Sequence, residues 1–331
     1  MIRSFQKSCP ALTLSLAALF SPHAGLAAPV APEPGFVIAS LNGSGAPNKA
    51  FSGDGVLLVG SDSCSYIDGR DIAFSADRLY VTGPCAPIGN WQGGSFVLKL
   101  LKDGSVDTTF GEQGLARVPG ISAAQIVVDA GRPIVAGSGN GKFVVARLKT
   151  NGSLDTTFGS GGISVVDAPS VTGEYLTGMA RQSDGKIVLV GTGTHSSLGS
   201  LFVTGRLTTA GAPDTSFSAD GWDNTDFAEG TTDKAYDVAI GGDGKIVVAG
   251  YSWLAGGSDR HLAVVRYTTN GTKDSTFSVD GKATVQVPGA SLPAANGVAV
   301  DSSGRVVLGG VAWFPDGRFA VGRLTSSGAL D

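Results

Sequence analysis

Four times in this chain an arginine stands eight residues ahead of an aspartate: Arg147 with Asp155, Arg206 with Asp214, Arg266 with Asp274, and Arg323 with Asp331. A guanidinium and a carboxylate so spaced either hold each other or leave a ring of cations to grip an anion. The flanking residues favour the first. Phe143, Val145 and Arg147 alternate onto one face of a strand, so the guanidinium leaves from an apolar surface and needs a partner. Cation and anion also change together: Lys99 keeps Asp107, whereas Ser40 comes with the uncharged Asn48. The spacing predicts a structural ion pair repeated along the chain.

Other chemistry is thin. The loops DTTFGEQG and DTSFSADGWDNTD invite calcium, but calcium takes six to eight oxygen ligands and each loop offers one or two carboxylates before an apolar anchor. An Asx-type cap over a buried Phe is the better reading, with Asp220, Asp223 and Asp226 the one dense acidic patch. Past residue 28 the only histidines are His195 and His261, and no HExxH, CxxC or GxSxG motif occurs. GSGNGK at residues 137–142 lacks the Ser/Thr and helix of a phosphate loop and reads as a tight hairpin. No catalytic residue, metal or cofactor is assigned. A purely architectural surface protein is one alternative and a sugar-cleaving enzyme the other; the enzyme would need two carboxylates about 5–10 Å apart in the central funnel, from among Asp167, Glu174, Glu229 and Asp233.

These residues sit on repeated elements. From Tyr236 to Phe277 the chain runs through the apolar stretches DVAI, KIVVAG and HLAVVRY, rich in β-branched residues and separated by Gly, Asp and Asn clusters, and GKATV follows Gly281. That is the pattern of four strands joined by turns. The unit recurs: the anchors Phe51, Phe110, Phe158, Phe217 and Phe277 are spaced by 59, 48, 59 and 60 residues, and the short interval is the one holding the tight hairpin. With 50 glycines in 331 residues, about twice the usual ~7% share, and no long helical periodicity past the N-terminus, the chain reads as all-β. Four antiparallel strands per copy at this period fit the blades of a β-propeller, with five full repeats plus a partial one. If the hairpin is innermost, Val56–Val59 completes the C-terminal blade and Phe36–Leu41 is a spare strand. The ring is then five-bladed, or a truncated six-bladed one.

The DGKIVVAG hairpin, the FVVARL-type third strand and the GSLDTTFG loop together resemble the bacterial delta-sixty repeat family, and they cover nearly everything from Phe36 to Asp331. The resemblance implies a propeller on a secreted or surface-associated protein. It implies no activity and supplies no catalytic residues.

In such a blade the loops after strands two and four emerge at one end, the DGK turns and DxxF loops at the other. The second end is uniform from copy to copy. The first varies and collects Tyr66, Trp91, Glu174, Tyr175, His195, Glu229, Trp253, Asp259, His261, Trp313 and Phe314. Aromatic rings on variable loops over a rigid scaffold suit recognition of a glycan or an extracellular protein. Trp91, Tyr175, His195, Trp253, His261, Trp313 and Phe314 are the expected contact residues.

Residues 1–28 have the layout of a secretory leader: Arg3 and Lys7, an apolar run from Ala11 to Phe20 that is too short to span a bilayer, then Pro22 and small residues, with cleavage near Ala27. PVAPEPG at 29–35 is an extended lead-in to a single propeller domain over 36–331. Removing the leader takes two cations and no carboxylate, moving the net charge from −4 to −6, which disfavours nucleic acid and anionic membranes as partners. No membrane span remains after cleavage, so the address is secreted, periplasmic or cell-surface. Cys64 and Cys85 then remain, flanking the hairpin Arg70–Phe74 and Leu79–Thr82. In an oxidising compartment they are expected to form a disulfide.

Overall fold

The computed structural model describes residues 35–60, 64–87, 94–228, 231–254, 260–313 and 317–331. The expected leader, and all of the expected lead-in except Gly35, lie outside them. Among the described residues there is no helix, and 22 strands follow one another in the chain. β1 (Gly35–Ala39) pairs antiparallel with β2 (Val56–Gly60). Next, β3 (Cys64–Ile67) and β4 (Asp71–Ser75) both pair with β5 (Arg78–Pro87), and β6 (Gly94–Leu101) and β7 (Leu115–Pro119) complete that sheet.

Three four-stranded sheets follow in chain order: β8 (Ser122–Asp129), β9 (Arg132–Gly139), β10 (Lys142–Arg147) and β11 (Ile163–Val166); β12 (Thr172–Arg181), β13 (Ile187–His195), β14 (Gly199–Leu207) and β15 (Trp222–Thr225); β16 (Thr231–Ile240), β17 (Ile246–Leu254), β18 (Arg260–Tyr267) and β19 (Lys282–Val285). The last sheet has three strands, β20 (Ser291–Val300), β21 (Val306–Trp313) and β22 (Gly317–Leu324). These are blades of β-propeller type, built in sequence order as the repeat pattern requires.

One expectation fails. Val56–Gly60 forms its ladder with Gly35–Ala39, Phe36 opposite Val59 and Ile38 opposite Leu57, and does not complete the C-terminal sheet. The strand read as spare is its partner, because β1 and β2 are the third and fourth strands of one repeat and such strands pair in every copy.

The turns follow their chemistry. The DGK-type turns place Gly185, Gly244 and Gly304 at φ of 86, 81 and 76°, while Asp184 and Asp243 accept the N–H of Lys186 and Lys245 at 3.1 Å. The two residues between β9 and β10, Asn140 and Gly141, both have positive φ (52 and 71°), the I′-like conformation that a two-residue hairpin favours. That turn explains the short repeat interval.

By contact density the chain divides into two compact units, one made of the residues up to Val135 with Ala146–Asp155, the other of Ala136–Val145 with Thr156–Asp331. Each has its own core. In the first, Ile38, Phe51, Leu79, Phe96 and Leu100 are buried together beside the disulfide that joins Cys64 to Cys85, whose Cα atoms are 5.6 Å apart. In the second, Val188, Val190, Phe202, Phe217 and Tyr267 form one cluster, and Val247, Val264, Phe277 and Leu308 another.

Within each unit the same latch joins one repeat to the next. The DxxF ring lies on the turn glycine of the following repeat, Phe51 on Gly104 in the first unit, and Phe158 on Gly211, Phe217 on Gly271 and Phe277 on Gly328 in the second. The N–H after the ring donates to the carbonyl just before that glycine: Ser52 to Asp103 (2.7 Å), Gly159 to Ala210 (2.8 Å), Ser218 to Asn270 (3.0 Å) and Ser278 to Ser327 (2.7 Å). The recurring Gly and Phe, 54 residues apart in the case of Phe217 and Gly271, are therefore two halves of one contact.

Candidate functional site at the variable ends of the second unit

In the second unit β12, β16 and β20 lie side by side. They are tied level with one another: the Thr177 hydroxyl donates to the Ala235 carbonyl at 2.9 Å, and the Val298 N–H donates to Asp237 Oδ2 at 2.9 Å. Strands tied at like positions and running the same way share their ends. The starts of β12, β16 and β20 and the ends of β13, β17 and β21 therefore lie at one end, where Tyr175, His195, Trp253, His261 and Trp313 stand. The DGK turns and the DxxF latches lie at the other.

Tyr175, Trp253 and Trp313 are 54, 37 and 51% exposed. Trp313 lies over Gly317, where a Cβ would meet the indole at 3.4 Å. His195 caps its own loop, with Nδ1 accepting the N–H groups of Ser197 and Leu198 at 3.3 Å. His261, on β18, lies in register with Ser252 and its Nε2 is buried. Trp91, Glu229, Asp259 and Phe314 fall outside the described residues. The fourth tryptophan, Trp222, is buried against Gly205 and Phe143.

Two of the four carboxylates considered for catalysis are occupied as clamps. Glu174 and Asp233 take equivalent places near the starts of β12 and β16, both buried. Glu174 Oε1 accepts the Ala168 N–H at 3.0 Å and Asp233 Oδ2 the Phe227 N–H at 2.9 Å, each six residues back. Each pins the segment that leads from one blade into the next. Burial pushes the Glu174 carboxyl up to about 7, the Ala168 N–H working against this and the neighbouring Asp167 carboxylate with it. Asp167 is itself held by Lys142 Nζ at 2.5 Å.

A cluster that spacing alone did not reveal sits on one face of β16–β18. The Arg260 guanidinium lies flat on Tyr251, its Cζ 3.2 Å from the ring centroid, and the Tyr236 ring is 5.7 Å from that of Tyr251. Trp253 is directly opposite Arg260, and Lys234 opposite Tyr251, in the strand ladders. A register shift between Ala235 and Asp237 changes which side of the strand each later residue faces. Simple alternation therefore could not place Tyr236 beside Tyr251.

The repeated ion pairs are made in both units: Arg147 Nε to Asp155 at 2.8 Å in the first, and, at the opposite end of the second, Arg206 Nε to Asp214 at 2.7 Å, Arg266 Nε to Asp274 at 2.8 Å and Arg323 Nε to Asp331 at 2.5 Å. A second cation, from the hairpin turn, reaches the same carboxylate: Lys186 to Asp214 at 3.0 Å and Lys245 to Asp274 at 2.9 Å. The recurring Lys or Arg after each DG turn was the available signal for it. In two copies the arginine also reaches the following repeat, with Arg206 Nη1 donating to the Thr269 carbonyl and Arg266 Nη1 to that of Ser326. Burial would raise the Asp214 carboxyl, but hydrogen bonds from Ser216 and Lys186 outweigh it and hold the group at about 2.

A cavity of about 490 Å³ opens between the turns at Gly241–Lys245 and Asp301–Gly304. Its charged wall, Lys245 and Arg266, is already engaged with Asp274. The acidic patch is dispersed: Asp223 is held by Lys273 Nζ at 2.8 Å and by the Tyr267 hydroxyl at 2.9 Å, while Asp220 accepts the Trp222 N–H.

Four stretches, residues 77–110, 131–158, 182–217 and 241–277, match the family described as "Domain of unknown function (DUF5122) beta-propeller". Each match ends on one of the anchor phenylalanines, Phe110, Phe158, Phe217 or Phe277. The repeats are thus similar to those of a β-propeller family without a known function. No curated protein matches the chain. Among solved structures it is similar to a putative 6-phosphogluconolactonase from Bacteroides uniformis (12% identity, TM-score 0.53, covering 91% of this chain and 78% of that one). It is also similar to a protein from Lactobacillus plantarum (14% identity, TM-score 0.49, 89% and 76%) and to a polysaccharide lyase, an ulvan lyase (10% identity, TM-score 0.44, 76% and 67%). At these identities the likeness is one of fold.

Proposed function

We propose that this protein is a secreted β-propeller recognition module that contacts a glycan or an extracellular protein through the variable ends of its blades. The observation that carries this reading is the placement of Tyr175, Trp253 and Trp313, all partly or largely exposed, at like ends of three successive blades. Exposed rings on a rigid frame lose little freedom on binding and offer flat apolar faces with polar edges. The uniform end, in contrast, spends its polar groups on ion pairs and latches. Catalysis is less well supported, because Glu174 and Asp233 are buried and committed to backbone N–H groups.

A disulfide suits an oxidising compartment, and no helix among the described residues is long and apolar enough to cross a membrane. A leader over residues 1–28 and one domain over 36–331 complete the proposal.

The test is a glycan and ectodomain array probed with the purified chain and with Trp253→Ala and Trp313→Ala. A specific signal that either substitution lowers at least tenfold supports recognition at this end. A signal that survives both, or polysaccharide turnover abolished by Glu174→Gln, would overturn it.

A further inference from the structure

The Arg260 cluster differs from every ion pair described above. Arg147, Arg206 and Arg266, the buried arginines of the repeats, face aspartates. Around Arg260 the polar neighbours are the phenols of Tyr251 and Tyr236, and its buried Nε has no hydrogen-bond partner among the described residues. Lys234 is directly opposite Tyr251 in the strand ladder and likewise has no carboxylate partner among the described residues. Two cations thus lie beside a pair of tyrosines with no carboxylate partner among the described residues. Burial already pulls the Arg260 pKa below the ordinary arginine value, as expected where nothing offsets the desolvation of a charge.

Contact with Tyr251 holds the guanidinium in place, and a hydrogen bond with the Tyr236 hydroxyl takes part of its N–H edge, leaving the rest for a ligand. A planar fork of donors in a partly dry setting suits a carboxylate, which it can meet through two parallel charge-assisted hydrogen bonds. Trp253 faces Arg260 across the strand pair, and directly opposed side chains start only ~5 Å apart. A pyranose ring stacked on that indole would carry a carboxylate substituent about as far as the guanidinium. We infer that the Tyr236–Tyr251–Arg260 cluster, with Lys234 and Trp253 at its margin, is a subsite for the carboxylate of a uronic acid residue in an acidic polysaccharide. This rests on the recognition reading above and names its ligand class.

The test uses isothermal titration of the full purified chain with oligogalacturonate and oligoglucuronate of defined length, with their methyl esters and with pentaglutamate, at 25 and 300 mM NaCl. The expected result is that an acidic oligosaccharide binds at least tenfold tighter than its ester and weakens with salt. Arg260→Gln should lose at least tenfold on the acid and little on the ester. Arg260→Lys, which keeps the charge but not the fork, should fall between, and Trp253→Ala should weaken both ligands. Melting curves of each variant separate loss of binding from loss of fold.

Equal affinity for acid and ester, an unchanged Arg260→Gln, or pentaglutamate binding as tightly as the sugars would each overturn the subsite. If neutral glycans bind in a Trp253-dependent way while the acids show no preference, the subsite fails and the recognition reading stands. If nothing on the array or in the titration binds, both fail.

Discussion

Gly271 lies against the ring of Phe217: a Cβ added at residue 271 would come within 2.5 Å of Phe217 Cδ2, and the glycine has a φ of 86°. The ring comes from one repeat and the glycine from the next, so the contact joins modules as well as filling space. Gly271→Ala carries two costs, a left-handed backbone worth about 1 kcal/mol and displacement of a fully buried ring, for a total of about 3 kcal/mol. Gly45 is a control: its φ is 81° but nothing lies within 4 Å of its Cβ position. Gly45→Ala should cost only the backbone part. Equal losses in denaturant melts would show that the latch carries no packing energy.

Asp214 is buried between Arg206 and Lys186. Its folded pKa of about 2 lies below the ~3.9 of an unfolded aspartate. Its contribution is therefore complete above about pH 4 and fades as the pH falls toward 2. Asp107, held at about 2 chiefly by the Thr109 hydroxyl, adds in the same window. Acid titration followed by circular dichroism should show stability lost between pH 4 and 2, with a smaller slope in Asp214→Asn. At neutral pH Arg206→Met should cost about 3 kcal/mol, the low end for breaking a buried pair, because Lys186 still faces the aspartate.

Glu174 runs the other way. It stays neutral in the fold up to about pH 7, whereas in the unfolded chain it ionises near ~4.3. The unfolded state therefore gains between those values, and stability falls as the pH rises from about 4.5 to 7, then levels. Glu174→Gln keeps a carbonyl to accept the Ala168 N–H and has no charge to lose. The melting temperature of the native chain should drop between pH 5 and 8, while that of the variant stays flat across the same range. Parallel curves for the two would count against the clamp being protonated.

The Cys64–Cys85 bridge spans 21 positions and closes its loop in the first unit. Chain-entropy reasoning assigns such a loop about 3 kcal/mol. Cys64→Ala with Cys85→Ala should lower stability by that order, and reduction of the native chain should reproduce the loss.

The amino-acid order determined the strand content, the four-strand module, the DGK turns, the arginine–aspartate partners and the cysteine pairing. All of these are set by local rules: alternation, glycine at positive φ, and pairings that recur at one fixed separation in each copy. Tertiary structure decided three further things. It set Phe217 on Gly271, a contact between repeats that no single module contains. It gave Val56–Gly60 to Gly35–Ala39, because adjacent strands of one repeat pair before distant ones. It also brought Tyr236, Tyr251 and Arg260 to one face, because the shift in register after Ala235 reverses the side on which later residues emerge, and periodicity read along a line cannot count past such an irregularity.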